Sequence, residues 1–283
     1  MKIHGSIFSL EEFHTMIDNV SMRRAYSIGN GIPTRQEYYR GQVCSEWAIK
    51  PSLVRDLKST EKVVEIENRI MEFFQTEIKN RNYGDKIFLH EKPIPYQNEW
   101  AWLSQAQHYG IPTRLLDWTI KPEVALYFAV ENPIYDDKDG QFLIIYTSNS
   151  DFKTETHEHP QYFETHPKDV TETWLLNPCF YYVDDENSTA EVRRARQHGK
   201  FTLQSVEKSL VGLDEQTELL IPWNKTIDTV IEKYVIPASV KSQIRLDLIS
   251  KGWHGDYLYV NDDKEINDIR DKCKKILASA KEC

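Results

Sequence analysis

The sequence predicts one mixed α/β domain of the α+β class, with a helical N-terminal part. Three observations lead to this prediction. Several segments repeat apolar residues at helical spacing, and apolar runs of strand length lie between them. No linker rich in glycine, serine or proline divides the 283 residues. We therefore expect residues 1–283 to form a single domain, with a helical segment at 1–30 and a C-terminal helix at 263–283.

Composition narrows the classes of protein to which the chain can belong. Its hydrophobic content of 40% is enough for a sizeable core. The formal net charge of -9 disfavours a non-specific nucleic-acid binder, which normally carries a basic surface. The four cysteines include no CxxC pair, so we expect free thiols and no metal site. Neither a signal peptide nor an apolar run of membrane-spanning length is present, so we expect a cytoplasmic protein without membrane contact.

Helices are predicted from apolar periodicity and from the residues that begin and end them. Ser9 and Glu12 have the form of a capping box. Pro122 suits a first helical turn, because its missing N–H leaves no hydrogen bond unmade there. Gly110 can end the preceding helix in the left-handed conformation. The predicted helices are 10–19, 61–79, 98–109, one that begins at Pro122, one from Ser188 to Gly199, one from Ser239 to Gly252, and 263–280.

Strands are predicted from short apolar or alternating runs. The run at 141–146 is unbroken, which is typical of a buried strand. Residues 149–173 are instead rich in Thr, His, Glu and Asp without periodicity, and we interpret them as a solvated loop in preference to a metal site. The predicted strands are 37–42, 113–119, 141–146, 179–183, 201–204, 218–222, 231–236 and 257–260.

Polar residues crowd the stretch 106–129, which otherwise has the composition of a core. Burying such groups without partners costs about 1–3 kcal/mol each, so they must pair with one another or line a cleft. Two interpretations therefore stay open, an internal network that joins Arg114 to Asp117, or a binding cleft that both side chains line. We expect Arg40, Arg114, Asp117 and Thr119 to converge on one cleft.

Seven short segments combine aromatic, arginine, glycine and proline residues in a distinctive order. They are YRGQ at 39–42, PSLVR at 51–55, AQHYG at 106–110, PTRLLDWT at 112–119, VALYFA at 124–129, RQHGKF at 196–201 and YVIPA at 234–238. Together they resemble the FRG domain family, which is named for an aromatic-Arg-Gly motif and is common in bacteria and their phages. The resemblance spans roughly residues 36–260, which we take as the FRG-like core.

The order of these elements is also similar to that of ADP-ribosyltransferases. The resemblance implies an ADP-ribosyltransferase-like fold, with a central split sheet flanked by helices. It also implies that an arginine on the first strand, here Arg40, holds the phosphates of NAD. A Ser or Thr that ends a later strand corresponds to Thr119. For the Glu or Gln that contacts the ribose, Gln197 is the nearest match, and Glu191 lies six residues before it.

The chemistry of these residue types suits the implied roles. An arginine offers a two-point fork for a diphosphate, and Gly41 allows the backbone to approach a ligand. A carboxylate such as Asp117 or Glu191 would stabilise an oxocarbenium-like state during cleavage of a C–N glycosidic bond. The predicted catalytic residues are Arg40, Asp117, Thr119, Glu191 and Gln197. The residues predicted to bind NAD are Tyr39, Arg40, Gly41, Gln42, His108, Arg114, Trp118 and Tyr127, with Tyr39 or Trp118 stacking on nicotinamide.

Three functional hypotheses remain. The first is an NAD-dependent ADP-ribosyltransferase that acts on a macromolecule, protein or nucleic acid, as a toxin or phage-defence effector. The second is a non-catalytic module that binds a nucleotide or nucleic acid. The third is a hydrolase of another type, such as a nuclease that uses His108 and the arginine cluster. The absence of GxGxxG, GxxxxGK[ST] and GxSxG motifs disfavours Rossmann, P-loop and α/β-hydrolase proteins.

Overall fold

A computed structural model describes most of the chain. The described residues are 3–31, 36–83, 99–147, 153–154, 165–171, 173–176, 197–213, 231–258 and 264–281. Several of the predicted features lie outside these ranges. They are the strands 179–183 and 218–222, nearly all of the helix from Ser188, and the candidate Glu191.

The strands form one mixed sheet, which confirms the predicted α/β class. Their order is β1-β8-β4-β2-β3-β7-β6-β5. The outermost pairs, β1 with β8 and β5 with β6, are parallel, and the inner pairs are antiparallel. The strands are β1 (Ile3–Ser6), β2 (Gln36–Gln42), β3 (Leu115–Thr119), β4 (Gly140–Thr147), β5 (Lys153–Thr154), β6 (Trp174–Leu176), β7 (Gly199–Leu203) and β8 (Ile231–Ile236).

The helices begin where the sequence provides a cap or a proline. Ser9 Oγ accepts a hydrogen bond from the backbone N–H of Glu12 at 3.1 Å. Pro122 stands at the first position of its helix, and Gly110 has a φ of 71°, both as predicted. The helices are α1 (Leu10–Gly29), α2 (Thr60–Asn80), α3 (Glu99–His108), α4 (Pro122–Val130), α5 (Val206–Leu210), α6 (Ala238–Ser250), α7 (Gly255–Leu258) and α8 (Lys264–Lys281).

Buried side chains fall into three groups around the sheet. The first joins α2, α3 and α8 to β3, β6 and β7, and includes Phe74, Trp102 and Leu203. The second joins α1, α4 and α6 to β2 and β4, and includes Phe142. The third lies on the other face of the central strands, around Trp118. Among the described residues, no helix is both long enough and apolar enough to cross a membrane.

The two central strands of the sheet, β2 and β3, are paired at a single position. β2 pairs with β4 along all seven of its residues, but it pairs with β3 only through Tyr39 and Thr119. Two wider blocks of strands therefore meet at one register pair. The side chain that follows Tyr39 is Arg40, which lies at the point where the two strands separate.

Some local predictions were wrong. Residues 257–258 belong to helix α7 instead of the strand predicted at 257–260, because four residues are too few for alternation to distinguish the two structures. Helix α1 continues ten residues beyond the predicted 10–19. β1 precedes it and was not predicted. The helix predicted from Ser239 begins at Ala238. In the stretch predicted as a solvated loop, Pro167 and Val170 are buried.

Candidate functional site

Arg40 lies at the junction between β2 and β3. Its Nη1 donates a hydrogen bond of 2.7 Å to the backbone carbonyl of Asp117. Its Nε is shielded from solvent and has no hydrogen-bond partner within the described part of the chain. A buried N–H of a charged group that lacks a hydrogen-bond partner costs free energy. An acceptor placed at this Nε would therefore be stabilising.

A second arginine and a carboxylate lie close to Arg40. Burial lowers the pKa of the Arg40 guanidinium to about 10, because desolvation outweighs the opposing charge of Asp117, and the charge of Arg55 lowers it further. Burial also lowers the pKa of Arg55, against the opposing charges of Asp56 and Asp117. Both arginines remain charged at neutral pH. They share one exposed carboxylate, Asp117, so Arg40 is a desolvated cation with incomplete compensation.

A chain of hydrogen bonds fixes Asp117 from the other side. Gln107 Nε2 donates to Asp117 Oδ2 at 2.5 Å, and Gln107 Oε1 accepts from the hydroxyl of Thr113, also at 2.5 Å. The backbone N–H of Thr113 donates to Ser52 Oγ at 3.4 Å. Helix α3, strand β3 and the loop after β2 are thus linked at one place. Gln107 is one of the polar residues that the sequence predicts to pair with one another or to line a cleft, and its hydrogen bond to Asp117 is such a pair. The sequence did not single out Ser52, although it stands within the PSLVR motif.

Arg114 does not pair with Asp117, and the predicted network between them is wrong. The Arg114 side chain is fully buried, and its Nε lies 2.9 and 2.7 Å from the two carboxylate oxygens of Glu67 in α2. Its Nη1 and Nη2 donate to the backbone carbonyls of Gln204 and Pro167. All of these contacts lie within the protein. The sequence predicted that Arg114 would join Arg40 and Asp117 in one cleft, and this prediction is wrong. Arg114 has a structural role.

Gly41 is required for packing and not for close approach of a ligand. A Cβ at this position would lie 1.8 Å from the backbone oxygen of Ala125 and 2.7 Å from the backbone nitrogen of Ala129. Helix α4 therefore rests directly on the backbone of β2. The glycine of the aromatic-Arg-Gly motif sets the distance between helix and sheet, next to the arginine that lies at the junction.

The aromatic residues predicted to stack on nicotinamide are buried. Trp118 is 2% exposed, and its Nε1 donates to Thr202 Oγ1 at 3.0 Å. Tyr39 is 7% exposed and stacks against Phe142. Tyr127, predicted to bind NAD, is buried in the same core as Tyr39. These three rings stabilise the fold and do not present a face to a ligand.

The two remaining residues predicted to bind NAD are Gln42, in β2, and His108, at the end of α3. Gln42 is buried, and its Oε1 accepts a hydrogen bond of 2.9 Å from Gln141 Nε2. His108 is half-buried at the end of α3 and makes an edge contact with Tyr109. Gln42 lies two residues after Arg40 on the same strand.

Thr119 and the backbone of Gln197 are in direct contact. The Thr119 hydroxyl donates to the backbone carbonyl of Gln197 at 2.6 Å and accepts from the N–H of Lys121 at 3.0 Å. The Gln197 side chain donates to the backbone carbonyl of Leu258 at 3.0 Å. The Thr119 hydroxyl thus braces the turn from β3 into α4, and the Gln197 side-chain N–H is engaged with α7.

The arrangement around Arg40 is suited to binding an anion. It offers one donor without a partner among the described residues, two guanidinium groups and a fixed carboxylate, at the point where β2 and β3 separate. An oxyanion placed at Arg40 would satisfy Nε and offset the repulsion between the two arginines. Among the described residues, no group of three or more His, Cys, Asp or Glu side chains is arranged to hold a metal ion.

Comparison with known proteins identifies a family for part of the chain. The family model of the FRG domain matches residues 35–138, which confirms the resemblance for that range. The match contains Arg40, Gly41, Arg55 and Asp117, and it is shorter than the predicted core of 36–260. No curated protein and no solved structure matches the chain.

Proposed function

We propose that this FRG domain binds NAD through its diphosphate at Arg40, and that the protein is an ADP-ribosyltransferase-like enzyme acting on a macromolecule. The main support is the environment of the Arg40 guanidinium. The guanidinium is desolvated, lies near the charge of Arg55, and keeps one N–H without an acceptor within the described residues. A diphosphate supplies several anionic acceptors, and an arginine can bind them at two points.

The residues present fit the diphosphate better than they fit other parts of NAD. Arg40 Nη1 is already held by the carbonyl of Asp117, so the guanidinium is fixed in orientation before a ligand arrives. Binding energy is then not spent on ordering a long side chain. Arg55 adds a second positive charge that an incoming phosphate would meet.

The transfer reaction would depend on Asp117. The C1′–N bond to nicotinamide breaks, and its electron pair leaves with nicotinamide. A nucleophile of the acceptor forms the new bond to C1′ and releases its proton. The exposed carboxylate of Asp117, held by Gln107 at 2.5 Å, would stabilise positive charge that develops on the ribose. We place this activity in the cytoplasm, where modification of a macromolecule would act as a toxin or as defence against phage.

A second candidate function has a specific observation in its favour. The Thr119 hydroxyl is engaged twice, and the Gln197 amide donates to Leu258. Two of the three positions that the resemblance matches to transferase residues thus have partners within the fold. This favours a non-catalytic module that binds a nucleotide at Arg40 without cleaving it.

Incubation with NAD labelled in the ADP-ribose part separates the two candidates. The purified protein would be mixed with cell lysate, and label would be followed in the protein and nucleic-acid fractions while free nicotinamide is measured. A transferase moves label into one fraction and releases nicotinamide, and Arg40→Ala abolishes both signals. Binding of NAD without either signal would favour the non-catalytic module. Absence of NAD binding by the folded protein would contradict both.

A further inference from the structure

We propose that Trp47 is a stacking platform for the base of the nucleotide whose phosphate lies at Arg40 and Arg55. This inference rests on the proposed function and adds a binding residue to the same site. Trp47 has a side chain 39% exposed, and it is the only tryptophan among the exposed large apolar side chains of the described residues. It lies in the loop between β2 and α2, within the range that matches the FRG domain.

The Trp47 ring is positioned by two neighbours. Its centroid lies 5.2 Å from that of Tyr135, at an angle of 80°, so the two rings meet edge to face. The guanidinium carbon of Arg55 lies 6.0 Å from the Trp47 centroid. Contacts of both kinds favour a fixed ring orientation, at a cost in entropy that is small for a side chain with two torsions.

The backbone of Trp47 is held independently of its ring. Gln141 is fully buried, and its Nε2 donates to the Trp47 carbonyl at 2.8 Å. The Trp47 N–H donates to the Cys44 carbonyl at 3.3 Å. Because these bonds use only backbone atoms, they remain when the side chain is replaced. The loop therefore presents an aromatic ring to solvent from a rigid support.

Arg55 connects the ring to the anion site. Its charge acts on Arg40 and is itself affected by Asp117, and its guanidinium lies over one face of the Trp47 ring, which leaves the other face for a base. In a nucleotide, only the ribose lies between the base and the first phosphate. A phosphate between the two arginines would thus place its base within reach of Trp47. The buried rings of Trp118 and Tyr39 offer no such face.

Stacking on an aromatic ring does not read the hydrogen-bonding edge of a base. We therefore expect Trp47 to favour nucleotides over phosphates without a base, with little discrimination between adenine and guanine. The ligand class is a nucleoside diphosphate, either free or as part of a dinucleotide. Base stacking contributes a factor of roughly 10 to 100 in affinity per base.

The test compares two ligands that differ only in whether a nucleoside is attached. ADP and inorganic pyrophosphate would be titrated calorimetrically into wild type, Trp47→Ala and Trp47→Phe. Tyr26→Ala removes an exposed ring on α1 and serves as the control. We expect Trp47→Ala to weaken ADP binding roughly 10- to 100-fold and to leave pyrophosphate binding unchanged. The affinity of Trp47→Phe for ADP should lie between the affinities of wild type and Trp47→Ala. GDP should behave as ADP does.

Two results would overturn the inference. One is equal weakening of both ligands by Trp47→Ala, which would show that the ring only supports Arg55. The other is unchanged ADP binding. In both cases wild type still binds pyrophosphate, so the proposed anion site would stand. If folded wild type binds neither ligand, the anion site fails and the stacking role fails with it.

Discussion

The Nε of Arg114, the residue that precedes β3, lies 2.7 Å from Oε2 of Glu67 in α2, and this ion pair is buried against the core. The remaining guanidinium nitrogens donate to the carbonyls of Gln204 and Pro167. One arginine thus joins a helix, a strand and two connecting segments. The cost of burying the charge is offset by this complete set of partners, so removal of any one of them leaves a charge without compensation.

Glu67→Ala should therefore destabilise the protein strongly. We expect the free energy of unfolding to fall by about 3–5 kcal/mol, because the variant leaves the buried Arg114 charge unpaired. Chemical denaturation monitored by circular dichroism would measure the change. Glu65→Ala in the same helix is the matched control, since Glu65 meets Arg69 only at the surface, at 3.9 Å. That control should change stability by less than about 1 kcal/mol. Similar losses in both variants would contradict a structural role for the buried pair.

Asp117→Asn should separate binding from chemistry. Asp117 is exposed, so the variant should remain folded, although it loses a charge that opposes those of Arg40 and Arg55. Loss of a negative charge beside Arg40 and Arg55 should strengthen pyrophosphate binding by about fivefold, since two charges a few ångströms apart near water interact by about 1 kcal/mol. Transfer of ADP-ribose should fall. Weaker pyrophosphate binding by a folded variant would mean that Asp117 is not beside the anion.

Gly41→Ala should destabilise the protein through steric overlap. The added methyl group would lie 1.8 Å from the Ala125 carbonyl oxygen, which belongs to the helix backbone and cannot rotate away. We expect a loss of at least about 3 kcal/mol. Gly29→Ala, at the end of α1, meets nothing within 4 Å and should be neutral or stabilising. A thermal melt of the two variants gives the comparison, and a stable Gly41→Ala protein would refute the close contact of α4 with β2.

Glu37→Gln should alter the pH dependence of stability. Burial raises the pKa of the Glu37 carboxyl above 4.5, in spite of the opposing charge of Arg24. The folded state thus binds this proton more tightly than the unfolded state does. Stability is lost as the pH rises from 4.5 through the raised pKa. The variant cannot ionise, so its stability relative to wild type should increase over that interval.

Denaturation at pH 4 and pH 7 would check the Glu37 prediction. The variant should gain relative to wild type at pH 7, and the half-exposed Arg24 should remain hydrated after it loses its partner. Glu72→Gln, on the exposed face of α2, serves as the control for the loss of one carboxylate at the surface. The stability difference between variant and wild type is the quantity to compare at the two pH values. If the variant loses stability relative to wild type between pH 4 and pH 7, the Arg24 ion pair outweighs desolvation.

Much of the fold could be predicted from local chemistry. Ser9, Gly110 and Pro122 begin or end their helices as predicted, because caps and prolines act on neighbouring residues alone. The run at 141–146 lies in β4, where every residue is buried. The strand predicted at 257–260 was wrong at its described residues, 257–258, because too few residues carried the pattern.

The site was predicted less well, because its partners are distant in sequence. One of the two open interpretations paired Arg114 with Asp117, three residues away, but the partner of Arg114 is Glu67. A signal for that pair was present, since Glu67 falls within the apolar stripe of α2, four residues after Val63 and three before Ile70. A carboxylate within such a stripe requires a buried cation. No equivalent signal identified Trp47, whose exposure depends on the path of its loop.

Calorimetric titration of NAD and pyrophosphate into wild type, Arg40→Lys and Arg40→Ala tests whether Arg40 binds a diphosphate. Arg40→Lys keeps the charge but loses the planar fork, so both ligands should bind more weakly but measurably. Arg40→Ala should remove binding almost completely, because each charge-assisted hydrogen bond contributes about 1.5–3 kcal/mol. All three proteins should remain folded, since the only described hydrogen-bond acceptor for Arg40 is one backbone carbonyl. Tight NAD binding that is unchanged in Arg40→Ala would contradict the account and place the site elsewhere.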